Sequence, residues 1–137
     1  GLYAAALDPR IAGVVSIVGF TPMRGDTPNK GMSGMTRYSH LHDLMPRLGL
    51  YAGNEAKLPY DFDDLIALIA PRPVLIVQPQ RDRDADPVAV RNAVNSARKV
   101  YSFDRAENKL GLQEPDDYGR LTDATQNEAI KWMKNNF

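Results

Sequence analysis

Residues 61–87 read DFDDLIALIAPRPVLIVQPQRDRDADP, and they contain a helix, a strand, an acidic loop and the start of a second helix. The first helix is indicated by apolar residues at the i, i+3, i+4 and i+7 spacing, namely Phe62, Leu65, Ile66 and Ile69. Asp61 is placed to cap its amino end, and Pro71 and Pro73 end it. The apolar run VLIVQ at 74–78 then predicts a strand covered on both faces, which is typical of a parallel sheet.

The segments before this stretch begin the same alternation of helix and strand. The Ala-rich residues 2–7 (LYAAAL) predict a short helix that ends at Asp8, because Pro9 follows. Residues 11–19 (IAGVVSIVG) are nearly all apolar and predict another buried strand. Residues 20–60 are rich in Gly, Pro and Met and are too long for a simple connection, so we expect a cap-like excursion with a helix at 38–48.

The segments after the acidic loop complete the pattern. An N-cap and first-turn pair at 86–87 (Asp-Pro) predicts a helix through about residue 100. Its inward residues would be Val90, Val94 and Ala97. We expect a short last strand at 100–103, a polar loop at 104–121 and a closing helix at 122–137. The apolar face of the closing helix would carry Ile130, Met133 and Phe137.

This order of elements predicts the α/β class, with parallel strands, flanking helices and right-handed crossovers. In such folds the catalytic groups lie in loops at the carboxyl ends of the strands. Three loops qualify, and they start at Phe20, Gln78 and Asp104. The chain has 137 residues, of which 43% are hydrophobic and 25% charged, so we expect one domain over 1–137.

Composition also limits the classes of partner. Lys plus Arg and Asp plus Glu both number 17, so the formal net charge is zero and no basic surface for nucleic acid or an anionic membrane is indicated. The sequence has no run of about 18 apolar residues that would span a bilayer. It has no cysteine, which excludes disulfides and thiolate metal sites.

Two phrases carry a resemblance that covers essentially the whole chain. LYAAALDPRIAGVVSIVG at 2–19 and DLIALIAPRPVLIVQPQRDRDADP at 64–87 resemble the C-terminal half of an α/β-hydrolase, closest to its dienelactone hydrolase and acetyl xylan esterase-like branch. The resemblance implies a serine hydrolase of carboxylic esters that acts on a small-molecule or carbohydrate ester and needs no cofactor. In that family the chain order is serine, then Asp or Glu, then histidine.

The resemblance places the nucleophile outside this sequence. GLYAAALDPRI at 1–11 resembles the helix that directly follows the GxSxG turn, so the serine would lie upstream of Gly1, in a missing N-terminal half of the domain. We therefore expect this chain to be the later part of a longer protein. GMSGM at 31–35 is a weak substitute, because its second glycine falls one place early and no strand precedes it.

The resemblance places the triad acid in the loop after residues 74–78. Asp82, four residues after Gln78, occupies the matching position, and Asp84 is the alternative because loop lengths vary there. The structural alternative is that both carboxylates pair with Arg81 and Arg83 on a solvated turn.

The histidine departs from the family pattern. The loop at 104–121 contains none, and both histidines, His40 and His42, lie in the cap-like segment. One of them is a candidate base, because a triad requires geometry rather than chain order. A metal site formed by this pair with Asp43 is disfavoured, since residues two apart do not share a helical face.

Two further possibilities stay open on the sequence. Arg24 follows the first strand and is a candidate ligand for a substrate carboxylate, although a structural role is the alternative. A chain that kept the fold and lost its histidine would be a non-catalytic pseudo-hydrolase or a ligand-binding module. No metal and no cofactor is expected in either case.

Overall fold

The computed structural model describes residues 1–25, residue 35 and residues 45–137. These residues form four α-helices, α1 (Leu2–Leu7), α2 (Phe62–Ile69), α3 (Pro87–Phe103) and α4 (Asp123–Asn136). They also form strands β1 (Val14–Ile17), β2 (Val74–Val77) and β3 (Leu110–Gln113), and 3-10 helices at Pro46–Tyr51, Glu55–Lys57 and Glu107–Lys109. The predicted α/β class with parallel strands and flanking helices is confirmed. No helix among these residues is long and apolar enough to cross a membrane.

The strands form one parallel sheet in the order β1-β2-β3. Val14 is in register with Val74, and Val74 is in register with Leu110. All three carboxyl ends therefore lie at the same edge of the sheet. The loops that begin at this edge are the ones that α/β proteins use for binding and catalysis.

Helices cover both faces of the sheet. Because successive strand residues point to opposite faces, Val74 and Ile76 pack with helices α1, α2 and α3 on one side, while Leu75 and Val77 pack against Ala129 of α4 on the other. All four β2 side chains are buried, as expected for the middle strand of a parallel sheet.

Helix α2 has the predicted extent, cap and buried face. Its four predicted inward residues are all buried. The Asp61 carboxylate accepts a hydrogen bond of 2.7 Å from the Phe62 N–H, and the Asp64 side chain completes a capping box. Asp61 is itself buried and also accepts bonds of 2.8 Å from the Met23 and Arg24 N–H groups. The cap thus anchors the chain that follows β1.

The predicted last strand at 100–103 is wrong, since these residues form the last turn of α3. Tyr101 extends the inward face of that helix by one more turn, is fully buried, and donates a 2.9 Å hydrogen bond to the Arg72 carbonyl oxygen. The strand is β3 instead, at Leu110–Gln113, inside the segment predicted as a polar loop. A Cβ on Gly111 would meet the Trp132 indole at 2.9 Å, so a glycine is required where α4 crosses this strand.

The predicted inward face of α4 is also wrong in part. Thr125 and Ala129 are its buried residues, whereas Ile130 and Phe137 are exposed. The face toward the sheet consists of Thr125, Ala129 and the partly buried Trp132, whose indole packs over Gly111 of β3. The predicted helix at 38–48 lies mainly outside the described residues, and its described end belongs to the 3-10 helix Pro46–Tyr51.

Candidate functional site

Three loops meet at the carboxyl edge of the sheet. Val18 follows β1, Asp82 follows β2, and Gly119 follows β3. A Cβ on Gly119 would lie 3.0 Å from Asp82 Oδ1 and 3.3 Å from Val18 Cγ1. The fold therefore brings one carboxylate to the place where residues from all three loops converge.

Two neutral donors hold the Asp82 carboxylate. Gln78 Nε2 donates a 3.0 Å bond to Oδ2, and the Asp84 N–H donates a 2.9 Å bond to Oδ1. Gln78 is 1% exposed, and its Nε2 also donates to the Pro79 carbonyl oxygen at 3.2 Å. Because each carboxylate oxygen accepts more than one hydrogen bond, these contacts fix the orientation of Asp82 and leave acceptor capacity for a further donor.

Backbone hydrogen bonds tie the acid loop to the loop after β3. The Gln80 N–H donates to the Pro115 carbonyl oxygen at 2.9 Å, and the Arg81 N–H donates to that of Asp117 at 3.0 Å. The Gln80 side chain adds a 2.8 Å bond to the Glu114 carbonyl oxygen. These bonds continue the pairing of β2 and β3 beyond the strands, which keeps Gly119 beside Asp82.

The arginines of the loop do not pair with its aspartates within the described structure. Arg81 forms a 2.7 Å ion pair with Asp116, which raises the pKa of the Arg81 guanidinium. The Arg83 guanidinium lies 5.7 Å from the centre of the Tyr118 ring, a cation–π distance. The solvated Arg–Asp turn that the sequence left open is therefore not what these residues form.

The other two aspartates of the loop have different surroundings. Asp84 is exposed, and its carboxylate makes no hydrogen bond or ion pair with any residue that the structure describes. The Asp86 carboxylate caps α3 by accepting from the Val88 and Ala89 N–H groups at 3.0 and 3.2 Å. Of the three, Asp82 is the one whose carboxylate is held at the meeting point of the loops.

An open cavity of about 300 Å³ lies beside the loop that carries Asp82, although Asp82 itself does not line it. It is lined by Arg83, Asp84, Tyr118 and Gly119. Next to it, Asp117 accepts hydrogen bonds from the Arg120 side chain and the Tyr118 N–H, and these two contacts lower the pKa of the Asp117 carboxyl. The cavity beside this loop is open to solvent.

Val18 adopts an unusual backbone conformation at this edge. Its φ is +52°, a region that a β-branched residue rarely occupies, and its N–H donates to the Val77 carbonyl oxygen at 3.0 Å. Strained backbone of this kind concentrates at functional sites. Sequence reasoning missed Val18, Gln78 and Gly119 as residues of this site. Nothing in the sequence around each of them shows which distant residues it meets in the fold.

The remaining candidate residues are not part of this cluster. The Arg24 side chain donates to the Leu58 carbonyl oxygen at 3.1 Å and to Asp64 at 3.4 Å, and substrate binding by Arg24 stays a prediction. His40, His42 and the GMSGM segment lie outside the described residues, except for its last residue, Met35, which is buried. Within the described part of the chain, no group of three or more His, Cys, Asp or Glu residues is arranged to hold a metal ion.

A larger cavity of about 540 Å³ runs along the outer side of β1. It is lined by the start of α1 (Gly1, Leu2, Tyr3 and Ala4), by Val15, Ser16, Ile17 and Gly19, and by Met45 and Phe62. Within the described residues, β1 pairs with β2 on its other side. The Val14 and Val18 N–H groups point to β2, so by the alternation of a strand those of Val15 and Ile17 point to this outer edge.

The sequence was compared with protein families and with known proteins. The model of the family described as "Glucuronyl esterase, fungi" matches residues 1–103. The chain belongs to the glucuronyl esterase family. A curated relative, carbohydrate esterase MZ0003 from an unknown prokaryotic organism, is 36% identical over 104 residues, which are 73% of this chain and 24% of the relative.

Solved esterase structures have the same fold. A carbohydrate esterase family 15 glucuronoyl esterase from Caldicellulosiruptor kristjansonii superposes with a TM-score of 0.86 at 22% identity, covering 99% of this chain and 39% of that one. A promiscuous esterase of the same family, from the marine bacterial metagenome, superposes with a TM-score of 0.78 at 25% identity, covering 99% and 38%. The chain thus spans about two fifths of these structures.

These matches decide how far the predicted resemblance extends. Its broader part, an α/β-hydrolase-type family of esterases, is confirmed, because glucuronyl esterases are such a family. The narrower assignment to the dienelactone hydrolase and acetyl xylan esterase-like branch is not supported by the matches. The chain belongs to a carbohydrate esterase family and spans only part of the length of the relatives that it matches.

Proposed function

We propose that this chain is the C-terminal part of a serine esterase that cleaves carboxylic esters of carbohydrates, and that Asp82 is its triad acid. The observation that carries the proposal is the fixed Asp82 carboxylate at the carboxyl end of β2, beside the loop that follows β3. An acid at this place orients an imidazole and stabilises the imidazolium that forms during catalysis.

The reaction follows the serine hydrolase sequence. The serine oxygen attacks the ester carbonyl carbon as its proton passes to the imidazole, and the alcohol leaves with that proton. Water then attacks the acyl-enzyme, gives a proton to the imidazole and releases the acid and the serine. In this chain the imidazole would come from His40 or His42, since residues 104–121 contain no histidine.

The nucleophile would come from the N-terminal half of the same domain. The support is that no strand among the described residues pairs with the outer edge of β1 and that a cavity lies along this edge, while the chain spans 39% of a matched esterase structure. Parallel sheets are normally covered and paired on both sides of such a strand. A further parallel strand, supplied by that half, would pair with the Val15 and Ile17 edge of β1 and bring the serine to the site.

The family description favours an ester whose acyl group is the uronic acid. The resemblance seen in the sequence points instead to acetyl esters of a sugar, in which the sugar is the alcohol. The two classes place the carbohydrate on opposite sides of the ester bond. Hydrolysis of a methyl glucuronate, compared with that of an acetylated xyloside, therefore separates them.

The test uses the natural protein that carries these residues together with the rest of the domain. We expect Asp82→Ala to lower kcat by about 10⁴-fold, the cost of losing a triad acid, while KM changes little. Asp84→Ala is the matched control and should retain nearly full turnover, because the Asp84 carboxylate makes no hydrogen bond or ion pair with a described residue and its N–H, which donates to Asp82, is kept. Loss of turnover in one of His40→Ala and His42→Ala would identify the base.

The competing function is a pseudo-hydrolase that binds carbohydrate without turnover. It is favoured by the absence of histidine from the loop after β3. If the wild type binds a uronate but hydrolyses no ester, the pseudo-hydrolase function is established and the esterase proposal is overturned. The 137-residue chain without the other half is expected to be inactive under either function.

A further inference from the structure

We propose that Gln78 is a positioning residue, which fixes the orientation of the Asp82 carboxylate through its side-chain amide. The inference rests on the proposed role of Asp82 as the triad acid. It assigns a function to a polar side chain that is 1% exposed and directly follows the apolar strand β2.

Burial of the Gln78 amide needs an explanation. A buried polar side chain is costly unless its donors and acceptors are paired. The Gln78 Nε2 donates to Asp82 Oδ2 at 3.0 Å and to the Pro79 carbonyl oxygen at 3.2 Å, so both of its N–H bonds are directed to defined acceptors. An apolar residue of similar size would fill the same volume without an unpaired amide, but it would leave Oδ2 without this donor.

The side-chain amide of Gln78 is a suitable donor for Asp82, whose carboxylate has to remain ionised in the proposed role. An amide is neutral, so it orients a carboxylate without cancelling its charge, whereas an arginine at this place would compete with the imidazolium for it. The second oxygen is held by the Asp84 N–H, and a Cβ added to Gly119 would lie 3.0 Å from that oxygen. Both oxygens are thus held, and each can still accept a further hydrogen bond.

The same loop offers a matched control. Gln80 lies two residues further on, and its amide donates to the Glu114 carbonyl oxygen at 2.8 Å rather than to the acid. The two glutamines are alike in chemistry and differ in partner, so a comparison separates the effect on Asp82 from a general effect on the loop.

The experiment is a double-mutant cycle on ester turnover by the full-length protein, with Gln78→Met, Asp82→Ala and the double variant. We expect Gln78→Met to lower kcat by about 10-fold to 100-fold, as for misplacement of a catalytic group, with KM unchanged. Gln78→Glu, which keeps the shape and lacks the N–H, should lose at least as much. In the Asp82→Ala background, Gln78→Met should cause no further loss.

The outcomes separate this inference from the proposed function. The positioning role is overturned if Gln78→Met and Gln80→Met have equal turnover. It is also overturned if Gln78→Met causes the same loss of kcat in the wild type and in the Asp82→Ala background. Neither outcome contradicts the proposed role of Asp82 as the triad acid. Wild-type turnover in Asp82→Ala overturns the proposed function, and the positioning role with it. A parallel cycle on urea unfolding measures the coupling between Gln78 and Asp82 and shows whether the hydrogen bond exists in solution.

Discussion

The three aspartates of the acidic loop show that a residue type does not define a role. Asp82 is held by an amide and a backbone N–H at the meeting point of three loops, Asp84 points to solvent, and Asp86 caps α3. All three are carboxylates within five positions of sequence. The sequence could narrow the acid to Asp82 or Asp84 by resemblance, and the hydrogen bonds now favour Asp82.

The close surroundings of Gly119 lead to a prediction about a single residue. A Cβ there would lie 3.0 Å from Asp82 Oδ1 and 3.3 Å from Val18 Cγ1, so Gly119→Ala would displace the carboxylate. If Asp82 is the triad acid that we propose, turnover should fall about 10-fold, because displacement of a catalytic group is costly. We also expect the free energy of unfolding to fall by about 1 kcal/mol from overpacking.

Steady-state kinetics and urea unfolding check this prediction. Gly25→Ala is the control, since a Cβ on Gly25 would meet no atom of the described residues within 4 Å. If Gly119→Ala matches Gly25→Ala in both measurements, the close approach of the loop after β3 to the acid is wrong.

Burial of Tyr101 predicts a dependence of stability on alkaline pH. Desolvation raises the pKa of the Tyr101 phenol above its ordinary value, and its O–H donates to the Arg72 carbonyl oxygen. The unfolded phenol titrates near pH 10, so its contribution to stability is complete below about pH 10 and is lost as the pH rises further. Tyr101→Phe should cost about 1 kcal/mol at neutral pH, since the carbonyl loses its donor.

Urea unfolding at pH 8 and at pH 11 measures both effects. The wild type should lose more stability between the two values than Tyr101→Phe does. An equal loss in the two proteins would mean that the Tyr101 phenol is not the group responsible.

At the scale of elements, the capped and strongly amphipathic helix was predictable, while the short strand was not. Helix α2 has its cap and its apolar spacing within nine residues, so local sequence determines it. The four residues of β3 contain a glycine and a glutamine, and they form a strand because β2 pairs with them and Trp132 packs over Gly111. Residues 100–103 have strand-forming side chains, yet the inward position of Tyr101 keeps them helical.

The cap of α2 also joins this helix to the loop after β1, which leads to a prediction. Asp61→Ala should lower the free energy of unfolding by about 2–3 kcal/mol, because it removes the cap and leaves the Met23 and Arg24 N–H groups without their acceptor. Asp63→Ala, in the same first turn, loses only its interaction with the helix dipole and should cost about 0.3–1 kcal/mol.

Chemical denaturation of the two variants side by side tests this difference. Equal losses would show that Asp61 acts only through its charge near the helix terminus. A larger loss for Asp61→Ala would confirm that the carboxylate connects two segments.

At the scale of the whole molecule, the open edge of β1 leads to a prediction about its amide protons. The Val14 and Val18 N–H groups are bonded to the β2 side, whereas those of Val15 and Ile17 point outward. In a longer protein that contains the proposed N-terminal half of the domain, we expect hydrogen exchange at Val15 and Ile17 to slow by at least 10-fold, because these groups would then pair with a further strand.

Val14 and Val18 serve as internal controls, since they are bonded in either state. Exchange measured by NMR on the 137-residue chain and on the longer protein provides the comparison. Unchanged exchange at Val15 and Ile17 would exclude strand pairing at this edge.

The sequence by itself determined the alternation of helices and strands, the parallel sheet, the capped helix α2 and the acidic loop that follows β2. These features depend on periodicity, capping and turn residues, which are local properties of the chain. Only the tertiary structure decided that β3 lies at 110–113, that Gln78 binds Asp82 across a turn, and that Gly119 closes on the carboxylate. The physical reason is that strand pairing and side-chain contacts between distant residues depend on packing in three dimensions, which no local pattern encodes.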